Sequence, residues 1–286
     1  MARLAVIYIL RRASFSWRCE LNDLPKLSWP KRFSVMGVPV SSTTYSEAVE
    51  RLMTAATMRQ PALATAFAVH GVVEASRDQD FLREIEAFEL VVPDGQPVRY
   101  ALNLLYNAHL SDRVYGPTLM LKLCEAAAKQ NLGIYLYGST SDTVDKLKSG
   151  LKLRFPSLSI VGAEPSLFRP LTEVELKALA TRIREAGAGL VFLGLGCPRQ
   201  ERFAYSIRPF VQASVICVGA AFDFHAGVKR QAPKWMQDRS LEWLFRLIQE
   251  PRRLFKRYAV TNSLFAISIS TQMLTSWFTR PGRRTT

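Results

Sequence analysis

Cysteine and histidine are scarce in this chain, with four Cys and three His in 286 residues. Cys19, Cys124, Cys197 and Cys217 lie far apart and form no C-x-x-C pair. That excludes a disulfide framework and a zinc site of the usual spacing, and it fits a reducing compartment. His70, His109 and His225 lack metal-ligand spacing, and no magnesium-binding Asp-x-Asp motif is apparent, so neither metal nor cofactor is expected. No G-x-G-x-x-G follows the first strand, which disfavours a nicotinamide-dependent oxidoreductase. Long apolar runs are also lacking. Leu4 to Leu10 is too short to span a bilayer and has no cleavage site after it, so neither a signal peptide nor an anchor is expected there.

Acidic residues are few, 24 against 38 Lys and Arg, and the imbalance is uneven. Residues 1–32 carry seven bases and two acids, and residues 236–286 carry nine and three. Of the formal net charge of +14, only about +3 belongs to the stretch between. A basic groove through the body of the fold, as a nucleic-acid enzyme needs, is therefore absent from the pattern. Basic ends mixed with Trp, Phe and Leu suit an anionic membrane surface.

Between those ends the pattern is βα. Apolar segments at 33–40, 62–69, 89–92, 133–137, 158–161, 190–193 and 214–218 read as strands. Helical spacing separates them, as in Val49, Leu52 and Met53, or Leu119, Met120 and Leu123. The expectation is a Rossmann-like parallel sheet with helices on both faces. The chain divides into a basic, loosely ordered leader (1–32), an α/β core (33–235) and a basic amphipathic helical appendage (236–286). In the appendage an amphipathic helix through Leu241, Leu244, Phe245 and Ile248 breaks at Pro251. If helical geometry resumes, Arg253 and Arg257 fall within about 20° of Arg246. Residues 258–278 are long enough to span a membrane but include Asn262, Gln272 and seven Ser or Thr, which favours an interfacial or docked helix. Apolar surface there can be buried against lipid or against a second copy of the chain, which leaves a homo-oligomer open.

The polar chemistry gathers at the ends of the expected strands, the edge where open α/β sheets bind ligands. Leu190–Leu193 runs into Gly194-Leu195-Gly196-Cys197-Pro198-Arg199-Gln200-Glu201, a strand, a glycine-rich turn and a helix start. Such a turn offers unpaired N–H groups to a phosphate, or is an ordinary connection. Gly138 occupies a similar turn. Pro93-Asp94-Gly95 sets a carboxylate at a strand end, either a general base or a simple Asp-Gly turn. Arg113 precedes a Gly-Pro helix opening and can clamp a phosphate or pair with Asp112. Asp223, after the last strand, can accept bonds from hydroxyls, cap a helix or pair with Arg230.

Pro-Asp-Gly-Gln-Pro at 93–97, Asp-Arg-Val-Tyr-Gly-Pro at 112–117, Gly-Leu-Gly-Cys-Pro-Arg-Gln-Glu at 194–201, Gly-Ala-Ala-Phe-Asp-Phe at 219–224 and Glu-Trp-Leu-Phe-Arg…Glu-Pro-Arg-Arg at 242–253 occur in that order. In this the chain resembles the WecG/TagA/CpsF glycosyltransferases, family 26, over residues 33 to about 260. The resemblance implies an inverting, metal-independent transferase at the cytoplasmic membrane face, peripheral to it. It would move a sugar from a UDP-linked donor to a polyprenyl-diphosphate-linked acceptor in cell-surface or exopolysaccharide synthesis. Asp94 would act as base. Arg113 and Gln200 match positions implicated in donor or acceptor contacts, and Gly138, Gly196, Pro198, Glu201 and Asp223, placed at the strand ends by the residue pattern, are expected to line the substrate site with them. Arg246, Arg253 and Lys256 or Arg257 would close over it and stabilise the leaving UDP. The family's Thr-x-Asn element reads Thr65-Ala66-Phe67-Ala68 here, so Thr65, or His70, takes that polar role and the substrate pair differs or catalysis is weakened. The contrasting reading is a nucleotide-sugar-binding scaffold without turnover.

Overall fold

A computed structural model describes residues 27–239 and 241–279. The leader lies outside the described residues as far as 26, with Cys19 in it, and so do the side chains of Arg253 and Arg257. The apolar run at 33–40, expected as one strand, folds back on itself. β1 (Arg32–Val35) and β2 (Val38–Ser41) pair antiparallel around Met36-Gly37, both at positive φ. A two-residue loop with that geometry is the preferred hairpin connection.

The other strands alternate with helices. In chain order they are α1 (Tyr45–Thr57), β3 (Ala62–Phe67), α2 (Val69–Arg77), α3 (Gln79–Glu86), β4 (Leu90–Pro93), α4 (Gln96–Tyr106), α5 (Gly116–Lys129) and β5 (Ile134–Gly138). Then come α6 (Ser141–Arg154), β6 (Ile160–Glu164), α7 (Glu173–Glu185), β7 (Leu190–Gly194), α8 (Arg199–Ile207), β8 (Ser214–Cys217) and the short α9 (Ala221–His225). The helix expected through Phe81, Leu82 and Ile85 is α3, and Asp78 separates it from α2 by accepting bonds from the Asp80 and Phe81 N–H groups. Asp78-Gln79-Asp80 is an Asp-x-Asp triplet, but it serves here as a helix cap whose Asp78 pairs with Arg202.

The six strands form one parallel sheet in the order β4-β3-β8-β7-β5-β6. Period-two alternation sorts their side chains. Leu63, Val91, Tyr135, Val191 and Val215 join a core with α2, α4, α7 and α8. Ala64, Val92, Leu136, Phe192 and Ile216 join the other with α1, α5, α6 and α9. Helices therefore cover both faces, as the βα pattern predicts. The first and last of these strands in the chain, β3 and β8, lie side by side, so the ends of β4, β3, β8, β7 and β5 converge on one crevice.

After β8 the chain forms α10 (Lys234–Asp238), α11 (Glu242–Gln249) and α12 (Pro251–Thr279). α11 and α12 are separate helices, because Glu250 leaves helical geometry ahead of Pro251. One face of α12 is buried, through Leu254, Thr261, Phe265 and Ile269. Gln272 completes the docking: its amide donates to the Ser34 carbonyl at 2.8 Å and accepts from the Met36 N–H at 3.1 Å. Among the described residues no helix is long and apolar enough to cross a membrane.

Candidate active site

Asp94 is held at the end of β4 by its own N–H, which donates to the Phe67 carbonyl at 3.1 Å and so ties the β3 and β4 ends together. Gly95 follows at positive φ and turns the chain into α4. Beside this turn the 112–115 segment is fixed by the Val114 N–H, which donates to the Pro93 carbonyl at 3.0 Å. That brings Arg113 and the start of α5 to Asp94. The Gly116 N–H at the first turn of α5 donates to the Asp94 carboxylate. Gly116 cannot be larger without pressing on Ala66, since an added Cβ would stand 3.0 Å from the Ala66 Cβ.

Burial pushes the Asp94 carboxyl up to about 6 from 3.8, with the Glu242 charge adding to the rise. Arg113, Arg246 and the Gly116 N–H pull the other way without overcoming it. A carboxylate so poised is ionised at neutral pH yet still basic enough to accept a proton.

Arg113 is 9 % exposed and does not pair with Asp112 as a surface residue would. Asp112 instead accepts from the Arg113 backbone N–H at 2.7 Å and from Gln96 at 3.2 Å. The Arg113 guanidinium donates to Glu242 Oε2 at 2.6 Å and stacks 4.3 Å over the Tyr115 ring. Tyr115 donates its hydroxyl to the other Glu242 oxygen at 2.7 Å. Burial opposes the Arg113 charge, but Asp94 and Glu242 outweigh it and raise the guanidinium pKa. Tyr45 supports the group from α1 by accepting from the Tyr115 N–H at 2.9 Å.

The ends of β5, β7 and β8 form the second half of the crevice. Gly138, at positive φ, lies so close to Gly194 that an added Cβ would stand 2.8 Å from its backbone. The Cys197-Pro198 peptide is cis and Gly196 is at positive φ. The buried Gln200 carboxamide accepts from the Gly196 N–H at 3.3 Å, and a Cβ added at Gly219 would stand 3.5 Å from the same oxygen. Asp223 accepts from Ser139 at 3.4 Å, and its salt bridge is to Lys229 at 3.0 Å, not to Arg230. Arg246 reaches in from α11, 5.9 Å over the Phe224 ring.

The expected residues therefore separate by role. Asp94, Arg113 and Arg246 come together, as do Gly138, Gly196, Pro198, Gln200 and Asp223. Thr65 and Glu201 do not face the crevice. Both are fully buried, with the Thr65 hydroxyl donating to Glu201 Oε1 at 2.8 Å and Gln200 donating to the same oxygen at 2.9 Å. Burial raises the Glu201 pKa. His70 lies in the first turn of α2, 3.7 Å from Glu74, and Ala68 caps that helix without a side-chain bond. Lys256 is exposed on α12, whereas Arg246 belongs to α11, and the two helices part at Glu250 and Pro251 where the break was expected. Glu242, Tyr115 and Tyr45 carry geometry that sequence reading left unassigned. The first two lie inside motifs already singled out, but only the fold reveals that they meet.

Residues 33–278 match the model of the Glycosyl transferase WecG/TagA/CpsF family, and the chain belongs to that family of enzymes. It is also 32% identical over 180 residues, 63% of its own length and 68% of the relative's, to an N-acetylglucosaminyldiphosphoundecaprenol N-acetyl-beta-D-mannosaminyltransferase of Bacillus subtilis (strain 168).

Proposed function

We propose that this glycosyltransferase moves a sugar from a UDP-linked donor to an N-acetylglucosamine carried on polyprenyl diphosphate, with inversion at the anomeric carbon, during cell-surface polysaccharide synthesis. The reading of the acceptor follows from the relative's substrate. The observation that carries the mechanism is a carboxyl raised to about 6 at the floor of the crevice, with Arg113 and Arg246 beside it.

In the reaction Asp94 accepts the proton of the acceptor hydroxyl as that oxygen bonds to the anomeric carbon. The bond from that carbon to the donor's β-phosphate oxygen breaks on the opposite face, and UDP leaves with the electron pair. Arg246, with Arg253 and Arg257 or Lys256 from the appendage, offsets the charge that develops on the diphosphate. Gly196 and the Gly138 turn offer the close backbone approach that a nucleotide needs. Thr65 and Glu201 act from behind by fixing the Gln200 carboxamide. The chain works as an α/β core (33–235) with an appendage (236–286) that binds the inner membrane face, where the lipid-linked acceptor resides.

The test is UDP release by the full chain, given a panel of UDP-sugars and a polyprenyl-diphosphate N-acetylglucosamine acceptor, beside Asp94→Asn. Acceptor-dependent release with one donor, cut by roughly 10²–10⁴ in the variant with donor binding retained, is the expected result. UDP binding without release from any donor would leave a binding protein, and near-normal turnover in the variant would remove Asp94 from the mechanism.

A further inference from the structure

Two carboxylates compete for one guanidinium in this crevice. Asp94 lies beside Arg113, but among the described residues it forms no ion pair with it. The guanidinium is committed to Glu242 at 2.6 Å. Glu242 is 6 % exposed, and both its oxygens are used, one by Arg113 and one by the Tyr115 hydroxyl. Tyr115 also supplies the ring on which Arg113 lies, so the cation is fixed by a charge on one side and a π-face on the other. Glu242 belongs to α11, 129 positions away from Arg113 in the chain.

We propose that Glu242 is a positioning residue of the transfer reaction: by holding Arg113 in a buried pair, it keeps that cation from closing onto Asp94 and preserves Asp94 as the proton acceptor. This rests on the reading of Asp94 as the base. A carboxylate in direct contact with an arginine is a poor base, because the pair stabilises its ionised form and lowers its pKa by about 1–3. The groups facing Asp94 are Tyr45 from α1, Arg113 and Tyr115 from the segment before α5, and Glu242 and Arg246 from α11, with Asp112 acting on Tyr45 beside them. Of the acids among them, Glu242 is the one bonded to the Arg113 guanidinium. Asp112 is bonded to the Arg113 backbone and to Gln96 instead. Glu242 also adds its own negative charge near Asp94. Loss of that charge and release of Arg113 act in the same direction, toward a weaker base. The pair also makes the base depend on α11 being seated, since the appendage supplies the competing carboxylate.

Glu242→Gln tests this in the full chain, since it keeps the shape and removes the charge. The direct reading is a ¹³C NMR titration of aspartate-labelled protein, with the Asp94 signal assigned by its loss in Asp94→Asn. A midpoint near 6 in the parent is expected to fall by about 1–3 on the pH scale in Glu242→Gln, and the acidic limb of the UDP-release profile should move with it. Tyr115→Phe removes one of the two bonds to Glu242 but no charge, and should move the midpoint the same way by less. A Glu242 with only a structural part would lower thermal stability and the rate at every pH and leave the midpoint in place. An unmoved Asp94 midpoint in a folded Glu242→Gln overturns the proposal. If that variant does not fold, an unmoved midpoint in Tyr115→Phe does so. A midpoint that falls as expected, in a protein that releases no UDP from any donor, would support the diversion of Arg113 and overturn the transferase reading instead.

Discussion

At the scale of single residues, Asp94 is kept as a charge in a place that disfavours it, and the fold bears that cost. Its carboxyl titrates near 6 against 3.8 when unperturbed, with burial as the leading cause. The native protein therefore binds this proton at a higher pH than the unfolded chain does. The stability tied to it is fully present below about pH 4 and is lost as pH rises through 6. At pH 8 the ionised group costs the native state on the order of 3 kcal/mol, since a tenfold difference in proton affinity corresponds to about 1.4 kcal/mol. Asp94→Asn removes the charge and keeps an oxygen to accept from the Gly116 N–H. Thermal unfolding should accordingly show the variant melting several degrees above the parent at pH 8, with the gap closing toward pH 4. A variant less stable than the parent at pH 8 would mean that Arg113 and Arg246 already compensate the charge. Asp94 as a crevice carboxylate was legible in the sequence because a strand followed by Pro-Asp-Gly is a local pattern. Its altered ionisation was not, because it is set by burial and by charges brought to it from the segment before α5 and from α11.

At the scale of elements, period-two alternation and helical spacing are local properties, so the strands and most helices were readable within a few residues. The exceptions have physical causes. Met36-Gly37 turns one apolar run into a hairpin, because both residues adopt the left-handed region that a two-residue turn requires. α2 starts directly after β3 without a side-chain cap, so no start signal precedes it. α12 was readable as a helix long enough to span a membrane. Its buried seam is set by partners distant in sequence: the hairpin, α2 and α4. Phe265 and Ile269 enter the same core as Val72, Val73 and Leu102, and Gln272 also donates to the Tyr106 hydroxyl at 3.0 Å. Phe265→Ala removes a buried ring from that seam, a change that costs about 3 kcal/mol in a well-packed site. Hydrogen exchange should show α12 amides opening faster in the variant while those of β3, β7 and β8 keep their protection. Uniform acceleration through the sheet would mean instead that α12 unfolds only with the core.

At the scale of the molecule, the part of the basic charge carried by Arg252 and Lys256 acquires a geometry. The face of α12 opposite its buried seam begins with the exposed Arg252 and Lys256 and continues with Val260, Ile267 and Leu274, of which Ile267 is 65% exposed. Phe255 and, on α11, Trp243 and Ile248 add exposed apolar surface nearby. Basic residues leading into an apolar face suit a helix that lies in an anionic headgroup region with its apolar side chains below it. A membrane docked on this face would hold the crevice near a lipid-linked acceptor, and α11, which carries Glu242 and Arg246, connects the two. Each basic residue near an anionic surface contributes about 1 kcal/mol. Arg252→Gln with Lys256→Gln should therefore weaken partitioning onto phosphatidylglycerol vesicles at low salt by about 30-fold, with little change on neutral phosphatidylcholine. Ile267→Ser with Leu274→Ser removes apolar contact and no charge. It should weaken both vesicle types and leave the dependence on ionic strength as it was. If the first pair binds anionic vesicles as tightly as the parent, this face does not meet the membrane. A parent protein that self-associates through α12, with the second pair abolishing the association, would identify a second copy of the chain as what covers it.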